Sequence, residues 1–531
     1  MIADGRAVPD GSVLQADVCV IGAGAAGIAV ARALAEDPTR AIVVLEGGGL
    51  APDPADQALY QGPVVGEPMW NYGYAKRLDE VRVRVLGGTT HHWGGFTRPY
   101  LGIELEDRPW QPVGGWPLWA DDLATWYPAA QALMRLGPYD YDPASWLATL
   151  GQTDPLRAGP DLTLAITQKR ATDFGFVYRN ALANASGIDL FHHANVVNLS
   201  ATPGGDHVGA VEVATLTGTA FTVEASAVVL ACGGIENARL LLASDDVVPA
   251  GLGNGHDQVG RWYADHFLAF GGFVASTRPL AELALLQTGG AVRTADDGGE
   301  YRVLGMVNVS DDALRREGLP GLHLETLAAE PALGPAQTVG VTDDQVAELL
   351  GPTDAVRSII GFTAFLEPVL DPDSRVRLAS QLDALGRPQA ELDWRHGAAD
   401  QDHLRRGLAL VGRAMGQFGF GRLQHAGGWL TIGAPTTGGL EGALTAFTVT
   451  AEGQVPEAVP MGTTFHHMCT TRMDPDPTQG VVDVDCRVHG VDNLWVAGSS
   501  VFPTAPGFFP TLTILALALR LADHLDAEVL T

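Results

Sequence analysis

The sequence predicts an α/β protein, α+β overall, in which a Rossmann-like dinucleotide-binding domain is combined with a second domain built on a sheet. Two observations predict the first domain. A glycine-rich turn separates a short apolar run from a helix-prone run, and an acidic residue ends the apolar run that follows. A third observation predicts the second domain, because alternating runs such as SRVRLAS and QAELDW are typical of strands with one exposed face.

The turn near the N-terminus has the spacing of a phosphate-binding loop. The β-prone run Val18–Ile21 leads into Gly22, Gly24 and Gly27, which follow the pattern G-x-G-x-x-G. Gly22 permits a tight turn, Gly24 lets a pyrophosphate approach the backbone, and Gly27 lets the helix pack closely on the strand. The segment therefore predicts the phosphate end of a dinucleotide site.

The rest of the βαβ unit supports this interpretation. The helix that starts near Ala25 and Ala26 offers free N–H groups and the positive end of its dipole to the phosphates. The second apolar run, AIVVLE, ends at Glu46, whose carboxylate can accept hydrogen bonds from ribose hydroxyls. Either FAD or NAD fits this unit alone, since no second complete fingerprint follows.

Two further segments are rich in small residues that let the backbone approach a large planar ligand. The first, VLGGTTHHWGGFTRP, also contains a tryptophan that can pack near such a ligand. The second has the run NLWVAGSS and then a helix predicted after Pro510, with Thr511 as its capping residue. The predicted cofactor-binding residues outside the βαβ unit are Gly87, Gly88, Thr89, Thr90, His91, His92, Trp93, Val197, Ala231, Gly498, Ser499, Pro510 and Thr511.

Taken together, these segments resemble the glucose–methanol–choline (GMC) flavoprotein oxidoreductases. The resemblance runs in order through VIGAGAAG…VVLEGG, LGGTTHHWGG, VVLACGGIENARLLLAS, DPDSRVRLASQLDALGRP and the C-terminal stretch. It is similar in particular to the branch with sugar and polyol dehydrogenases and pyranose oxidase. The resemblance implies FAD as cofactor and a reaction that moves hydride from a secondary alcohol to flavin N5.

The resemblance also implies the reaction centre. His466 in HHMCTTRM corresponds to the catalytic histidine of the family, and His467 is the lesser candidate. Histidine suits a general base because its pKa lies near neutrality. If the segment is a strand, only one of these adjacent side chains faces the flavin.

One residue departs from the family pattern. Relatives usually carry Asn-Pro or His-Pro before the last helix, whereas here Phe509 precedes Pro510. Phenylalanine cannot hydrogen-bond a substrate oxygen, so either another group makes that contact or the reaction is not ordinary alcohol oxidation. Two alternatives to a sugar, glycoside or polyol oxidoreductase therefore stay open: a natural-product tailoring enzyme that performs a desaturation or another oxidation, and a non-redox flavoprotein such as a lyase.

His92 raises the question of covalent attachment. It falls where the resemblance places the histidine that, in pyranose oxidase and choline oxidase, is bonded to the flavin. The sequence leaves both a covalent and a non-covalent FAD open.

Composition narrows the partners. The net charge of −29 repels phosphate backbones and anionic lipid, so nucleic acid and membrane surfaces are poor partners. The four cysteines have no CxxC spacing, and no signal peptide or membrane segment is visible, which predicts a cytoplasmic protein. No metal is predicted, because the three His-His pairs lack metal-ligand spacing. The expected partners are a small-molecule substrate and an unidentified electron acceptor, with homo-oligomerisation left open.

The predicted FAD domain is discontinuous along the 531 residues. It comprises residues 1–110, 186–262 and 458–531, and residues 111–185 and 263–457 form the predicted substrate domain. Within the latter, HLRRGLALVGRAMGQFG predicts an amphipathic helix and residues 328–354 a lid.

Overall fold

Two sheets organise the chain in the computed structural model, which describes residues 1–71, 74–156, 159–287, 289–331, 357–424 and 459–530. The first sheet has eight strands in the order β1-β8-β3-β2-β11-β10-β9, with β21 beside β11. Its central strands run parallel, while β10 pairs antiparallel with both β11 and β9. Its strands are Ile2–Asp4 (β1), Val13–Ile21 (β2), Ile42–Leu45 (β3), Ile188–His192 (β8), Asn195–Ala201 (β9), Val208–Ala214 (β10), Ala220–Leu230 (β11) and Leu494–Val496 (β21).

The second sheet has nine strands, paired antiparallel throughout, in the order β19-β12-β16-β15-β14-β7-β6, with β13 beside β14 and β20 beside β12. Its strands are Phe96–Thr97 (β6), Leu162–Lys169 (β7), Phe267–Ser276 (β12), Ala291–Thr294 (β13), Glu300–Val309 (β14), Leu322–Pro331 (β15), Ser358–Leu366 (β16), Gly421–Gln424 (β19) and Met461–Thr463 (β20). Two separate hairpins are Met69–Asn71 (β4) with Tyr74–Lys76 (β5), and Arg375–Leu382 (β17) with Pro388–Asp393 (β18).

The helices pack on and between these sheets. The α-helices are Ala25–Leu34 (α1), Pro54–Ala58 (α2), Ala120–Ala124 (α3), Tyr127–Leu133 (α4), Pro143–Leu150 (α5), Phe174–Asn184 (α6), Gly233–Ala243 (α7), Asp311–Glu317 (α8), Ala398–Gln417 (α9) and Thr511–His524 (α10). Short 3-10 turns span Gly5–Ala7, Gly88–His91, Gly102–Glu104, Leu280–Glu282, Ala284–Leu286 and Ser499–Val501, and a π-turn spans Leu525–Val529. α1 and α10 lie against each other, which brings the two ends of the chain to one place.

The mixed architecture with a parallel dinucleotide-type sheet confirms the predicted fold class. The domain boundaries stay a prediction. β6 and β20, which those boundaries assign to the FAD domain, pair with the second sheet. The hairpin β17–β18, assigned to the substrate domain, packs on α7 beside the first sheet.

Other local predictions have mixed outcomes. The predicted amphipathic helix is confirmed as α9, whose buried residues follow a helical period from Leu404 to Met415. Residues 332–354 of the predicted lid lie outside the described residues.

Candidate active site

One large cavity, of about 320 Å³, lies where the first sheet meets the second. Residues from several separate parts of the sequence line it, among them the glycine turn with Glu46, the segment Val81–Arg84, the Gly87–Phe96 segment, the start of α7, and C-terminal residues between Phe465 and Ile514. The cavity therefore runs from the dinucleotide turn at one end to His466 and Phe509 at the other.

The three glycines of the turn have three different surroundings. Gly22 has φ +101° and a Cβ there would lie 2.6 Å from the Ala231 carbonyl oxygen. A Cβ on Gly27 would lie 1.9 Å from the Gly22 carbonyl oxygen, so this position serves helix packing. Nothing lies within 4 Å of a Cβ on Gly24, which lines the cavity. A side chain at Gly24 would occupy the space that a dinucleotide needs.

Helices α1, α7 and α10 begin at the cavity, and none has a side-chain cap at its N-terminus. The first N–H groups of a helix have no partner within the helix. These donors and the positive dipole ends are therefore available to an anionic ligand. The predicted capping role of Thr511 is wrong: Pro510 occupies the cap position, and Thr511 is the first helical residue.

Glu46 is held as the predicted ribose-side acid. Its two carboxylate oxygens accept the N–H groups of Ala23 and Gly48 at 2.9 and 2.7 Å. Burial raises the pKa of Glu46, and these two hydrogen bonds oppose that shift. Each oxygen keeps a further lone pair for a ligand hydroxyl.

Positive charge also lines the cavity. Arg82 pairs with Glu236 at 2.8 Å and stacks over Tyr60, and Arg84 also lies over that ring. Burial alone would raise the pKa of Glu236, but Arg239 and Arg82 lower it to about 2. These arginines suit the pyrophosphate and adenosine parts of a dinucleotide.

Most of the sequence-predicted residues meet in this cavity. Those that line it are Gly22, Gly24, Ala25, Ala26, Glu46, Gly87, Gly88, Thr89, Thr90, Trp93, Ala231, Gly498, Ser499, Pro510, Thr511, His466, His467 and Phe509. Those outside the lining are Gly27, His91, His92 and Val197. Val196, next to Val197, lines it instead, because neighbouring residues on a strand face opposite sides.

The candidate for covalent attachment is exposed. His92 follows the 3-10 turn Gly88–His91, and its backbone N–H donates to the Thr89 carbonyl. Its neighbour His91 is also exposed and lies 3.1 Å from Asp173. The residues of this segment that line the cavity are Gly87 to Thr90 and Trp93 to Phe96, on either side of the His91-His92 pair. Covalent attachment through His92 stays an untested prediction, and this placement does not support it.

The two adjacent histidines of the reaction centre both line the cavity. The strand on which the expectation of a single flavin-facing side chain was based is absent, because residues 464–467 are irregular and Phe465 has φ +62°. Which of the two side chains faces the flavin stays a prediction. Asp265 holds this turn, since its Oδ1 accepts from Thr464 Oγ1 and the His466 N–H and its Oδ2 accepts from the Phe465 N–H. Burial raises the pKa of Asp265 to about 6, against these hydrogen bonds.

A second histidine contacts His466. Nδ1 of His266 lies 3.0 Å from Nδ1 of His466, and the ring planes meet at 83°. Burial lowers the pKa of His466 to about 4. Burial, Arg82 and His466 lower the pKa of His467 to about 3. His466 is therefore neutral at ordinary pH, which is the form that can accept a proton.

Phe509 belongs to an aromatic wall beside His466. Its ring stacks on Phe96 at 4.8 Å, and its edge meets the rings of His466, His323 and Phe365. Phe96 and Phe509 both line the cavity. The wall offers an apolar face at the position where the family resemblance implies a polar side chain.

Sequence reasoning missed Asp265, His266, Phe96 and the arginine pair. The dipeptide Asp265-His266 directly before a β-prone run was the available signal for the first two, but no spacing ties it to His466, which lies 200 positions away. Phe96 and Arg82 belong to no sequence motif, and only the folded structure shows that they line the cavity.

The fold and the cavity are those expected of a dinucleotide-binding protein, and comparison with known proteins shows which enzymes the chain resembles. Residues 371–518 match the family model for GMC oxidoreductases. The chain is 27% identical to the 6'''-hydroxyparomomycin C oxidase of Streptomyces lividus, over 96% of this chain and 92% of the relative. It is 24% identical to the fructose dehydrogenase large subunit of Gluconobacter japonicus, over 96% and 97%. Residues 371–518 thus match the C-terminal part of GMC oxidoreductases, and the chain as a whole is similar to enzymes of that family.

The structural comparison agrees on the fold. The crystal structure of pyridoxine 4-oxidase from Mesorbium loti superposes with a TM-score of 0.56 and 19% identity, over 97% of this chain and 99% of that one. The prediction of an FAD-dependent enzyme of the GMC class is confirmed. No helix among the described residues has the length and apolar character needed to cross a bilayer.

Proposed function

We propose that the protein oxidises a CH–OH group of a sugar, glycoside or polyol, with His466 as the general base. Bound FAD supplies the hydride acceptor, flavin N5. The observation that carries the proposal is the position of a neutral, partly buried histidine at the end of a cavity built for a dinucleotide. Two relatives that span the chain are named for a paromomycin derivative and for fructose, which are both carbohydrates.

The residues of this chain divide the work. Nε2 of His466 is the ring nitrogen left for the substrate hydroxyl, because Nδ1 faces His266. The start of α10 supplies unpaired N–H groups at the same end of the cavity, and these donors stabilise negative charge that develops during hydride transfer. The helix start and His466 thus serve the hydride and the proton separately.

The aromatic wall supplies binding rather than proton transfer. Phe96 and Phe509 present apolar surface to the substrate. The C–H faces of a sugar ring, or an apolar group on a glycoside, fit such a surface. Binding of this kind lowers KM, but it does not replace the transition-state contacts that a second polar residue would make.

Flavin reduction in the absence of oxygen tests the role of His466. We expect His466→Ala to retain FAD but to be reduced by a carbohydrate substrate at least about 100-fold more slowly than the wild type, since general bases contribute about this much. His256→Ala, at an exposed histidine far from the cavity, is the matched control and should behave as the wild type. Undiminished reduction of His466→Ala would remove His466 from the mechanism.

A further inference from the structure

His266 is placed to determine the chemical form of His466. It directly precedes β12, is 1% exposed, and has its Nδ1 at 3.0 Å from that of His466. Two neutral imidazoles at this distance share one hydrogen bond, so one Nδ1 carries the proton and the other accepts it. Which of them donates decides which nitrogen of His466 is left to face the substrate.

The surroundings of His266 select one arrangement. Nδ1 of His266 faces His466, so its Nε2 is the nitrogen left for other groups; Nε2 is buried and has no hydrogen-bond partner. The backbone carbonyls of Ala505 and Pro506 are the nearby groups that favour a proton on this ring, and as acceptors they favour it on Nε2. A neutral His266 with its proton on Nε2 has a lone pair on Nδ1. His466 must then carry its own proton on Nδ1, which leaves its Nε2 unprotonated.

We propose that His266 is a positioning residue that fixes the tautomer of His466, by accepting its Nδ1–H and so leaving Nε2 free to take the substrate hydroxyl proton. The inference rests on the proposed function of His466 as base. In the step, the hydroxyl proton moves to Nε2, and the resulting imidazolium keeps donating from Nδ1 to neutral His266. The role matches that of the carboxylate in a hydrolase triad, with a neutral group in its place.

The neutral partner has a consequence for pH. A carboxylate beside Nδ1 stabilises imidazolium strongly, whereas a neutral imidazole does so weakly. The other ionisable groups near the pair do not replace a carboxylate. Asp265 is engaged with the backbone of residues 465 and 466 and with Thr464. His323 and His467 have pKa values lowered to about 3, so they are neutral and supply no negative charge. His466 thus stays neutral over a wide pH range.

Three variants of the FAD-loaded enzyme separate this role from simple packing. We expect His266→Ala to slow anaerobic flavin reduction by about 10- to 100-fold, the effect of losing a hydrogen bond to a charged group. His266→Asn restores an oxygen acceptor near the place of Nδ1 and should recover most of that loss. His266→Asp should raise the apparent pKa of the reduction rate by at least about one pH unit, because a carboxylate favours the imidazolium.

Nitrogen NMR of enzyme labelled in histidine reads the tautomer without turnover. We expect the wild type to show His466 protonated at Nδ1 and unprotonated at Nε2, with His466→Ala used to assign its signals. A proton on Nε2 would overturn the proposal, as would His266→Asn reducing as slowly as His266→Ala at equal FAD content. Failure of the proposed function looks different, since His466→Ala would then be reduced at the wild-type rate whatever the tautomer.

Discussion

At the scale of single residues, the reaction centre is controlled by groups that neutralise or orient one histidine. His466 is held from the backbone side by Asp265 and from the ring side by His266. The sequence predicted His466 as the base through the family resemblance of its motif. It did not identify its two partners, because hydrogen bonds between residues 200 or 201 positions apart leave no local pattern.

Phe509 gives the first prediction at this scale. Replacing it by leucine keeps the apolar character but removes the stack on Phe96. We expect kcat/KM for the substrate to fall by about 2- to 10-fold, since aromatic pairs contribute about 0.5–1.5 kcal/mol beyond their buried area. Phe176→Leu makes the same change at a side chain that is 84% exposed and should have no effect. An unchanged kcat/KM in Phe509→Leu would show that the wall does not contact the substrate.

His92 gives the second prediction at the scale of single residues. Because its side chain is exposed and does not line the cavity, we expect acid precipitation to release the FAD into the supernatant. A yellow pellet would contradict this expectation. If that pellet became colourless in His92→Ala, the covalent bond would be assigned to His92.

At the scale of elements, the βαβ unit forms as its spacing predicts, because the residues that determine it are close together in the sequence. The turn, the helix start and the acid at the end of β3 lie within 25 residues of one another. The segment around His466 does not form the strand considered for it. Asp265 accepts the Phe465 N–H there and holds Phe465 in a left-handed conformation. Tertiary hydrogen bonds outweighed the local preference at that point.

The glycines of the turn should separate folding from cofactor binding. Gly24→Val places a side chain in the open cavity, so we expect a folded protein that loses FAD. Gly27→Ala forces a contact of 1.9 Å with the Gly22 carbonyl oxygen and should lower the stability of the apoprotein itself. Circular dichroism melting together with the flavin content of each purified variant measures both effects. Equal losses of stability in the two variants would contradict the separate roles.

The ring stack of His323, Phe365 and Phe508 makes the stability of the fold depend on pH. His323 lies parallel between Phe365 and Phe508, and neither of its buried ring nitrogens has a hydrogen-bond partner. Burial and Arg98 lower its pKa to about 3 from 6.5 in the unfolded chain. The unfolded state therefore binds the extra proton, and stability is lost as the pH falls from about 6.5 towards 3.

His323→Phe should remove the part of the stability loss at low pH that protonation of His323 in the unfolded state causes. We expect the variant to keep the stack and to lose less stability than the wild type between neutral pH and about pH 4. Denaturant unfolding at several pH values gives the two curves, and His256→Phe at an exposed histidine is the control. If the curves of His323→Phe and the wild type stayed parallel, protonation of His323 would not contribute to acid unfolding.

At the scale of the whole molecule, the cavity is assembled from both sheets and both ends of the chain. α1 and α10 pack together, so the glycine turn and the last helix open onto one space. The sequence predicted this assembly through its family resemblance and the individual motifs. It could not predict that β6 and β20 join the second sheet, because strand pairing across the chain depends on partners far away in sequence.

The central claim is that this cavity binds FAD and oxidises a carbohydrate alcohol beside His466. It is tested most directly by mixing the FAD-loaded wild type, without oxygen, with a panel of sugars, polyols, glycosides and aminoglycosides while the flavin absorbance is followed. The account predicts that at least one carbohydrate bleaches the flavin. It also predicts that deuterium at the reacting carbon slows the bleaching. A flavin that no member of the panel reduces would contradict the account and favour a tailoring or non-redox role.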